Sequence, residues 1–143
     1  MILPNIETFI GCESSFEEAS VVLYGAPFDS TTSFRPGARF GPSAMRHESF
    51  GLETYSPYQD KDLIDISVFD SGDLELCFGS SEMALSDIQK RAEEILKAGK
   101  FPLLLGGEHL VTLAAVRAVA AKYPDLHTVS YTHLRAHETE LHL

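Results

Sequence analysis

The chain has 143 residues, 44% of them hydrophobic, and its 21 acidic and 11 basic residues give a formal net charge of −10. A chain of this size can bury one core, and negative charge spread along its whole length argues against nucleic acid and anionic membranes as partners. Cys12 and Cys77 form no CxxC-type motif, and no segment has the length of a membrane span or the pattern of a signal peptide. We therefore expect one soluble, cytoplasmic domain.

Strands and helices alternate along the sequence. Short apolar runs that stop at glycine or proline are typical of strands buried on both faces, whereas apolar residues repeating every three or four positions indicate helices. In chain order we predict a strand at residues 21–25, a short helix at 43–50, a strand at 64–70 with a turn at 71–73, a helix at 81–98 capped by Ser80 or Ser81, a strand at 101–105, a helix at 109–122 and the start of a fourth strand at 126–129.

This alternation predicts an α/β fold in which right-handed crossovers join parallel strands, with helices on both faces of the sheet. Reactive groups in such sheets lie at the carboxyl ends of the strands. Three places meet that condition: the loop after residue 24, the turn at 70–73, and the sequence Gly106-Gly107-Glu108-His109.

The third place carries the most chemistry. Two glycines after a buried strand allow a sharp turn, which would bring Glu108 and His109 to the rim of the sheet at the start of a helix. A neutral imidazole held there can bind a metal ion. The alternative is that His109 only begins the helix or packs against its neighbours.

Four ordered motifs carry a family resemblance. They are Gly-Ala-Pro-Phe-Asp at 25–29, Arg-Pro-Gly-Ala-Arg-Phe-Gly-Pro at 35–42 followed by Met45-Arg46, Asp-Ser-Gly-Asp at 70–73, and Leu-Gly-Gly-Glu-His at 105–109. In this order they resemble the arginase/agmatinase ureohydrolase family, and the Arg-Pro-Gly loop resembles its agmatinase branch. Leu110 departs from that branch, which usually has a small serine after the histidine.

The resemblance implies a three-layer α/β/α fold and a site for two manganese ions at the carboxyl edge of the sheet. Such a pair would activate a bridging hydroxide that attacks the guanidinium carbon of the substrate, for example converting agmatine to putrescine and urea in polyamine biosynthesis. By the same match His109 is the first Mn²⁺ ligand, and Glu108 is a neighbour of the site or a helix-start carboxylate. Relatives of this kind assemble as homotrimers or homohexamers.

The other charged residues in the motifs each have two interpretations. Arg35 and Arg39 either shape the mouth of the site or a subunit contact, or they make local hydrogen bonds and face solvent. Asp70 and Asp73 either support the metal site or form an Asx turn around a glycine, and Asp29 has the same two roles open to it.

The last residues depart from the family pattern. An Asp-Ala-His-x-Asp motif should follow the next strand, but Arg135-Ala136-His137 places a permanent cation where an anionic ligand is required. We expect residues 1–129 to be the N-terminal part of a ureohydrolase domain and residues 130–143 to be an aberrant, foreign or disordered tail. The sheet would then be incomplete, with an unpaired strand edge that promotes association.

The histidines outside the Gly-Gly-Glu-His motif offer a different metal hypothesis. His47 falls in the short helix and is most simply a surface or packing residue. The remaining four lie within the last 17 residues, at His127, His133, His137 and His142. Three functions therefore stand: a truncated and inactive agmatinase-like hydrolase, a non-catalytic ureohydrolase-like subunit or regulator, and a metal-binding protein that uses the histidine-rich tail.

Overall fold

The computed structural model describes residues 5–131, which contain five strands, three α-helices and two 3₁₀ turns in the following order along the chain. They are β1 (Val21–Ala26), a 3₁₀ turn (Ala38–Phe40), α1 (Gly41–Ser49), β2 (Tyr55–Ser56), β3 (Lys61–Asp62), a second 3₁₀ turn (Leu63–Asp65), β4 (Val68–Asp73), α2 (Ser81–Lys97), β5 (Phe101–Gly106) and α3 (Leu110–Lys122). None of the helices within this range is long and apolar enough to cross a membrane.

The main sheet has the order β4-β1-β5, and both pairings are parallel. β1 therefore lies in the middle, where five of its six residues are buried. The two-residue strands β2 and β3 form a separate antiparallel pair. The predicted parallel α/β class is confirmed, and the carboxyl ends of β1, β4 and β5 lie at one edge of the sheet.

Helices α2 and α3 cover one face of the sheet. Ala84, Ile88, Ala92 and Ile95 recur every three or four residues on α2 and are fully buried against β1 and α3. The Ser80 side chain accepts a hydrogen bond from the Met83 amide, so Ser80 is the N-cap and Ser81 the first helical residue. The opposite face packs Leu23 and Val68 against the N-terminal segment around Cys12.

Two predicted boundaries are wrong for identifiable reasons. Residues 64 and 65 lie in a 3₁₀ turn because the Asp62 side chain accepts the Ile64 amide and starts that turn before the strand. The predicted turn at 71–73 continues β4, and Gly72 absorbs the irregularity in its pairing with β1 through a positive φ of 73°.

The predicted strand at residues 126–129 is also wrong. These residues form no strand in the described part of the chain, and Val129 is 74% exposed. Within residues 5–131, β5 pairs with β1 on one side and with no strand on the other. Apolar residues that have no neighbouring strand to pair with cannot satisfy their backbone groups as a sheet does. The expected association through this edge stays a prediction.

Candidate functional site

The turn after β5 is held against the chain segment that follows β1. The Gly107 amide donates to the Ala26 carbonyl at 3.0 Å, and the Glu108 amide donates to the Phe28 carbonyl at 2.8 Å. A Cβ atom at Gly107 would lie 2.1 Å from the Phe28 carbonyl oxygen, which is far inside van der Waals contact. The second glycine of the motif is therefore needed because another backbone passes beside it.

His109 lies immediately after this turn. It is the N-cap residue of α3, its backbone is already helical (φ −59°, ψ −27°), and its side chain makes no capping hydrogen bond. The residue is exposed at the carboxyl edge of the sheet, where the sequence predicts it. Between residues 5 and 131, however, no three His, Cys, Asp or Glu side chains are grouped so that they could hold a metal ion. One accessible imidazole suits a ligand to a divalent cation, but within the described part of the chain it is not grouped with the carboxylates that would complete a manganese site.

Glu108 points to the loop after β1. Its Oε1 atom accepts hydrogen bonds from the Thr31 amide at 3.2 Å and from the Thr31 hydroxyl at 2.7 Å. The Thr32 hydroxyl lies 3.4 Å from Oε2, but donates at 2.8 Å to the Asp29 carbonyl. Sequence reasoning missed this connection because nothing in the spacing shows that residues 77 positions apart meet.

Asp29 organises the same loop from its other end. Its buried carboxylate accepts the amides of Gly37 at 2.6 Å and Arg39 at 3.2 Å, and forms an ion pair with the Arg39 guanidinium at 2.9 Å. Burial alone would raise the pKa of the Asp29 carboxyl, but the hydrogen bonds from Arg39 and Gly37 outweigh it and lower that pKa. Of the two interpretations of Arg39, the structure therefore shows the simpler one, a local hydrogen bond within the loop.

Arg35 takes no part in that ion pair. It has a positive φ of 48°, and its guanidinium carbon lies 5.1 Å from the centre of the exposed Phe34 ring. This contact leaves Arg35 on the outer side of the loop. Its predicted contribution to a site mouth or a subunit contact stays a prediction.

A second polar cluster lies at the end of β4. Both Asp70 and Arg46 are almost completely buried, and Arg46 donates to the two carboxylate oxygens of Asp70 at 2.8 and 2.9 Å. Asp70 also accepts the amides of Phe9 and Gly72 at 2.9 Å each, and Arg46 donates to Asp73 as well. The Asx contact expected at Gly72 is present, because the Asp70 carboxylate accepts a hydrogen bond from the Gly72 amide, but it lies within β4 and not in a turn.

The Arg46 ion pair was not predicted, although the residue stands in one of the family motifs. The signal that could have found it is the placement of an arginine in the middle of a short helix followed by two carboxylates at the end of a predicted strand. Because a buried carboxylate requires a partner, Asp70 and Arg46 act as a structural pair behind the sheet edge. The structure does not join this cluster to His109.

The other histidines divide into two sets. His47 lies on the surface, as expected, with its Nδ1 atom 3.2 Å from a carboxylate oxygen of Glu7. His127 is exposed, whereas His133, His137 and His142 lie outside the described residues.

Comparison with known proteins agrees with the four motifs. The sequence model described as "Arginase family" matches residues 19–139. The agmatinase of Bacillus anthracis is 50% identical over 132 residues, which make up 90% of this chain and 46% of that protein.

Two solved structures have the same fold. The agmatine ureohydrolase of Thermoplasma volcanium is 32% identical with a TM-score of 0.75, over 80% of this chain and 39% of that one. The proclavaminate amidino hydrolase of Streptomyces clavuligerus is 35% identical with a TM-score of 0.75, over 85% and 42% respectively. The predicted arginase-like α/β/α architecture is confirmed, in part of its extent.

The chain thus spans less than half the length of these relatives. Its motifs, its sheet and the family match, which covers most of its residues, agree with one another. The chain belongs to the arginase family.

Proposed function

We propose that this chain is the N-terminal part of an agmatinase-like ureohydrolase. The reaction would hydrolyse a guanidino compound to urea and an amine, with agmatine and putrescine as substrate and product. The observation that carries the proposal is the Gly-Gly-Glu-His turn at the carboxyl edge of the sheet, in a chain that is 50% identical to an agmatinase. Agmatinase is favoured over other guanidino hydrolases by that identity.

Two manganese ions, when bound, would supply a hydroxide nucleophile at neutral pH. His109 would contribute one ligand through its neutral ring, because its side chain is exposed at the strand end. The double-glycine turn fixes where helix α3 begins. It therefore also fixes the position of the His109 imidazole. Its backbone bonds to Ala26 and Phe28 oppose displacement of the ligand when charge develops on the substrate.

We propose further that the 143-residue chain does not catalyse this reaction by itself. Support comes from the missing partners of His109, since no group of three potential ligands exists within residues 5–131. The other ligands would come from strands outside residues 1–129, and residues 130–143 would be an aberrant tail, foreign or disordered. The same observation supports the runner-up, a non-catalytic ureohydrolase-like subunit or regulator.

Urea release from agmatine in the presence of Mn²⁺ tests the proposal. The assay compares this chain with the full-length Bacillus anthracis agmatinase under identical conditions. We expect urea from the relative and none above background from this chain. Turnover by this chain at a rate comparable to the relative would refute the claim of inactivity, and its hydrolysis of another guanidino compound in preference to agmatine would refute the substrate assignment.

The metal-binding alternative predicts that the histidine-rich tail holds the ion. Titration with Mn²⁺ of a version ending at residue 129 separates it from our proposal. Unchanged affinity removes the tail hypothesis, whereas loss of all binding would favour it.

Location and assembly belong to the same proposal. Both cysteines are free thiols, as expected for a cytoplasmic protein. A homotrimer or homohexamer is proposed for the complete protein, with a small guanidino molecule as its ligand.

A further inference from the structure

The Glu108 side chain bonds to a distant loop and not to its own turn or helix. Its side chain reaches back to Thr31 and accepts two hydrogen bonds on one oxygen, at 2.7 and 3.2 Å. Hydrogen bonds to an ionised acceptor are about twice as strong as neutral ones. The contact therefore joins the segment before His109 to a loop 77 residues earlier in the chain.

That loop, residues 28–40, is here called the rim loop, and it contains no regular structure before the 3₁₀ turn at its end. Successive hydrogen bonds link the residues of this loop to one another and to Glu108. Thr31 binds Glu108, Thr32 donates through both its amide and its hydroxyl to the Asp29 carbonyl, and the Asp29 carboxylate holds Gly37 and Arg39. Two carboxylates, Glu108 and Asp29, thus hold a long loop that has few other internal bonds.

The backbone of Glu108 is also bonded to the rim loop. The Glu108 amide donates to the Phe28 carbonyl at 2.8 Å, and Gly107 fits only because it has no side chain beside Phe28. Residue 108 is therefore fastened to the rim loop through both its amide and its carboxylate. A residue held at both ends has little freedom to rotate, and His109 follows it directly.

We propose that Glu108 is a positioning residue, which clamps the rim loop through Thr31 and so fixes the turn that presents His109. The role of His109 as a ligand rests on the proposed function, whereas the clamp itself does not. Glu108 binds no metal or substrate in this account. It acts through the neighbouring residue, as groups behind metal ligands commonly do.

Hydrogen exchange of the rim loop, measured by mass spectrometry on the whole 143-residue chain, tests the clamp. Glu108→Ala removes both bonds to Thr31, and we expect exchange in residues 28–40 to rise about tenfold. Glu108→Gln keeps a carbonyl acceptor for Thr31, and should restore most of the protection. Glu53→Ala, at an exposed glutamate, makes the same change of charge and should leave exchange unchanged.

Thr31→Val supplies the second arm, because it removes the hydroxyl bond with little change in side-chain volume. It should raise exchange less than Glu108→Ala does, and adding it to Glu108→Ala should have no further effect. Equal exchange in Glu108→Ala and Glu53→Ala, or independent effects of the two clamp substitutions, would overturn the proposal.

Mn²⁺ affinity tests the link to His109, measured by electron paramagnetic resonance on the same substitutions in a fusion of residues 1–129 with the C-terminal part of the Bacillus anthracis agmatinase, which would supply the other ligands. We expect Glu108→Ala to weaken binding about tenfold or more, with recovery in Glu108→Gln. Unchanged affinity in a variant whose rim loop has opened would refute the positioning role. If the unsubstituted fusion binds no Mn²⁺, the ligand role of His109 fails, while the exchange experiment on the 143-residue chain still decides the clamp.

Discussion

Replacing Arg46 by methionine removes the guanidinium that neutralises Asp70 while keeping most of the side-chain volume. Arg46 is 2% exposed and Asp70 is 0% exposed, so solvent cannot take over the lost role. Breaking a buried ion pair by removing one partner costs about 3–5 kcal/mol. Asp70 keeps the amides of Phe9 and Gly72, which places our expectation near the lower limit, at about 3 kcal/mol.

Urea unfolding of the chain, followed by circular dichroism, measures this loss directly. Lys90→Met is the matched control, because Lys90 pairs with Asp87 at 3.4 Å on an exposed helix surface. Exposed pairs of this kind contribute at most about 1 kcal/mol. Because small domains have a total unfolding free energy of about 5–15 kcal/mol, the difference between the two variants is measurable. Equal losses in Arg46→Met and Lys90→Met would refute the reasoning.

The remaining predictions concern three other sites. Gly107→Ala should lower the free energy of unfolding by about 2 kcal/mol or more, because its Cβ would meet the Phe28 backbone. Gly79→Ala is the control in the same urea titration and should change this free energy little, because its Cβ would have only a cysteine sulfur nearby, at 4.0 Å. Burial, reinforced by the Asp70 carboxylate, raises the pKa of the Cys12 thiol from 9.0 to about 11. A thiol reagent at pH 8 should therefore label Cys77 in the native chain and Cys12 only after unfolding. Equal labelling rates of the two cysteines in the native chain would contradict the burial of Cys12. The lowered pKa of Asp29 means that its stabilisation of the rim loop is complete above the ordinary value of 3.8 and is lost as the pH falls through the lower folded value. The protection of residues 28–40 against hydrogen exchange, taken relative to the intrinsic exchange rate at each pH, should therefore fall at acid pH, and Asp29→Asn should weaken this dependence.

The fold could be predicted where local pattern and burial act together. The buried run of β1 and the regular apolar spacing of α2 identify themselves, because a central parallel strand and an amphipathic helix have distinct periodicities. The strand predicted at residues 126–129 failed because an apolar run gives a preference for extended backbone but does not provide a neighbour to pair with. The prediction of a strand at residues 64 and 65 failed because it relied on alternating apolar and polar residues. The hydrogen bond from the Ile64 amide to the Asp62 side chain starts a 3₁₀ turn there, and such a local contact does not show in the alternation.

The candidate site could be predicted only in its position. The double-glycine motif indicated where His109 would lie, because two glycines directly after a buried strand allow a sharp turn at the edge of the sheet. The partners of the charged residues could not be derived in the same way. Glu108 meets Thr31, and Arg46 meets Asp70, through contacts between segments that are 77 and 24 residues apart, and such distances leave no periodic trace in the sequence.

The ligand role of His109 is tested most directly in a chimera. Residues 1–129 of this chain are joined to the C-terminal part of the Bacillus anthracis agmatinase, and urea release from agmatine is measured with Mn²⁺ present, with and without His109→Ala. We predict that the chimera is active and that the substitution lowers its activity by about 100-fold or more. Full activity without the imidazole would contradict the assignment.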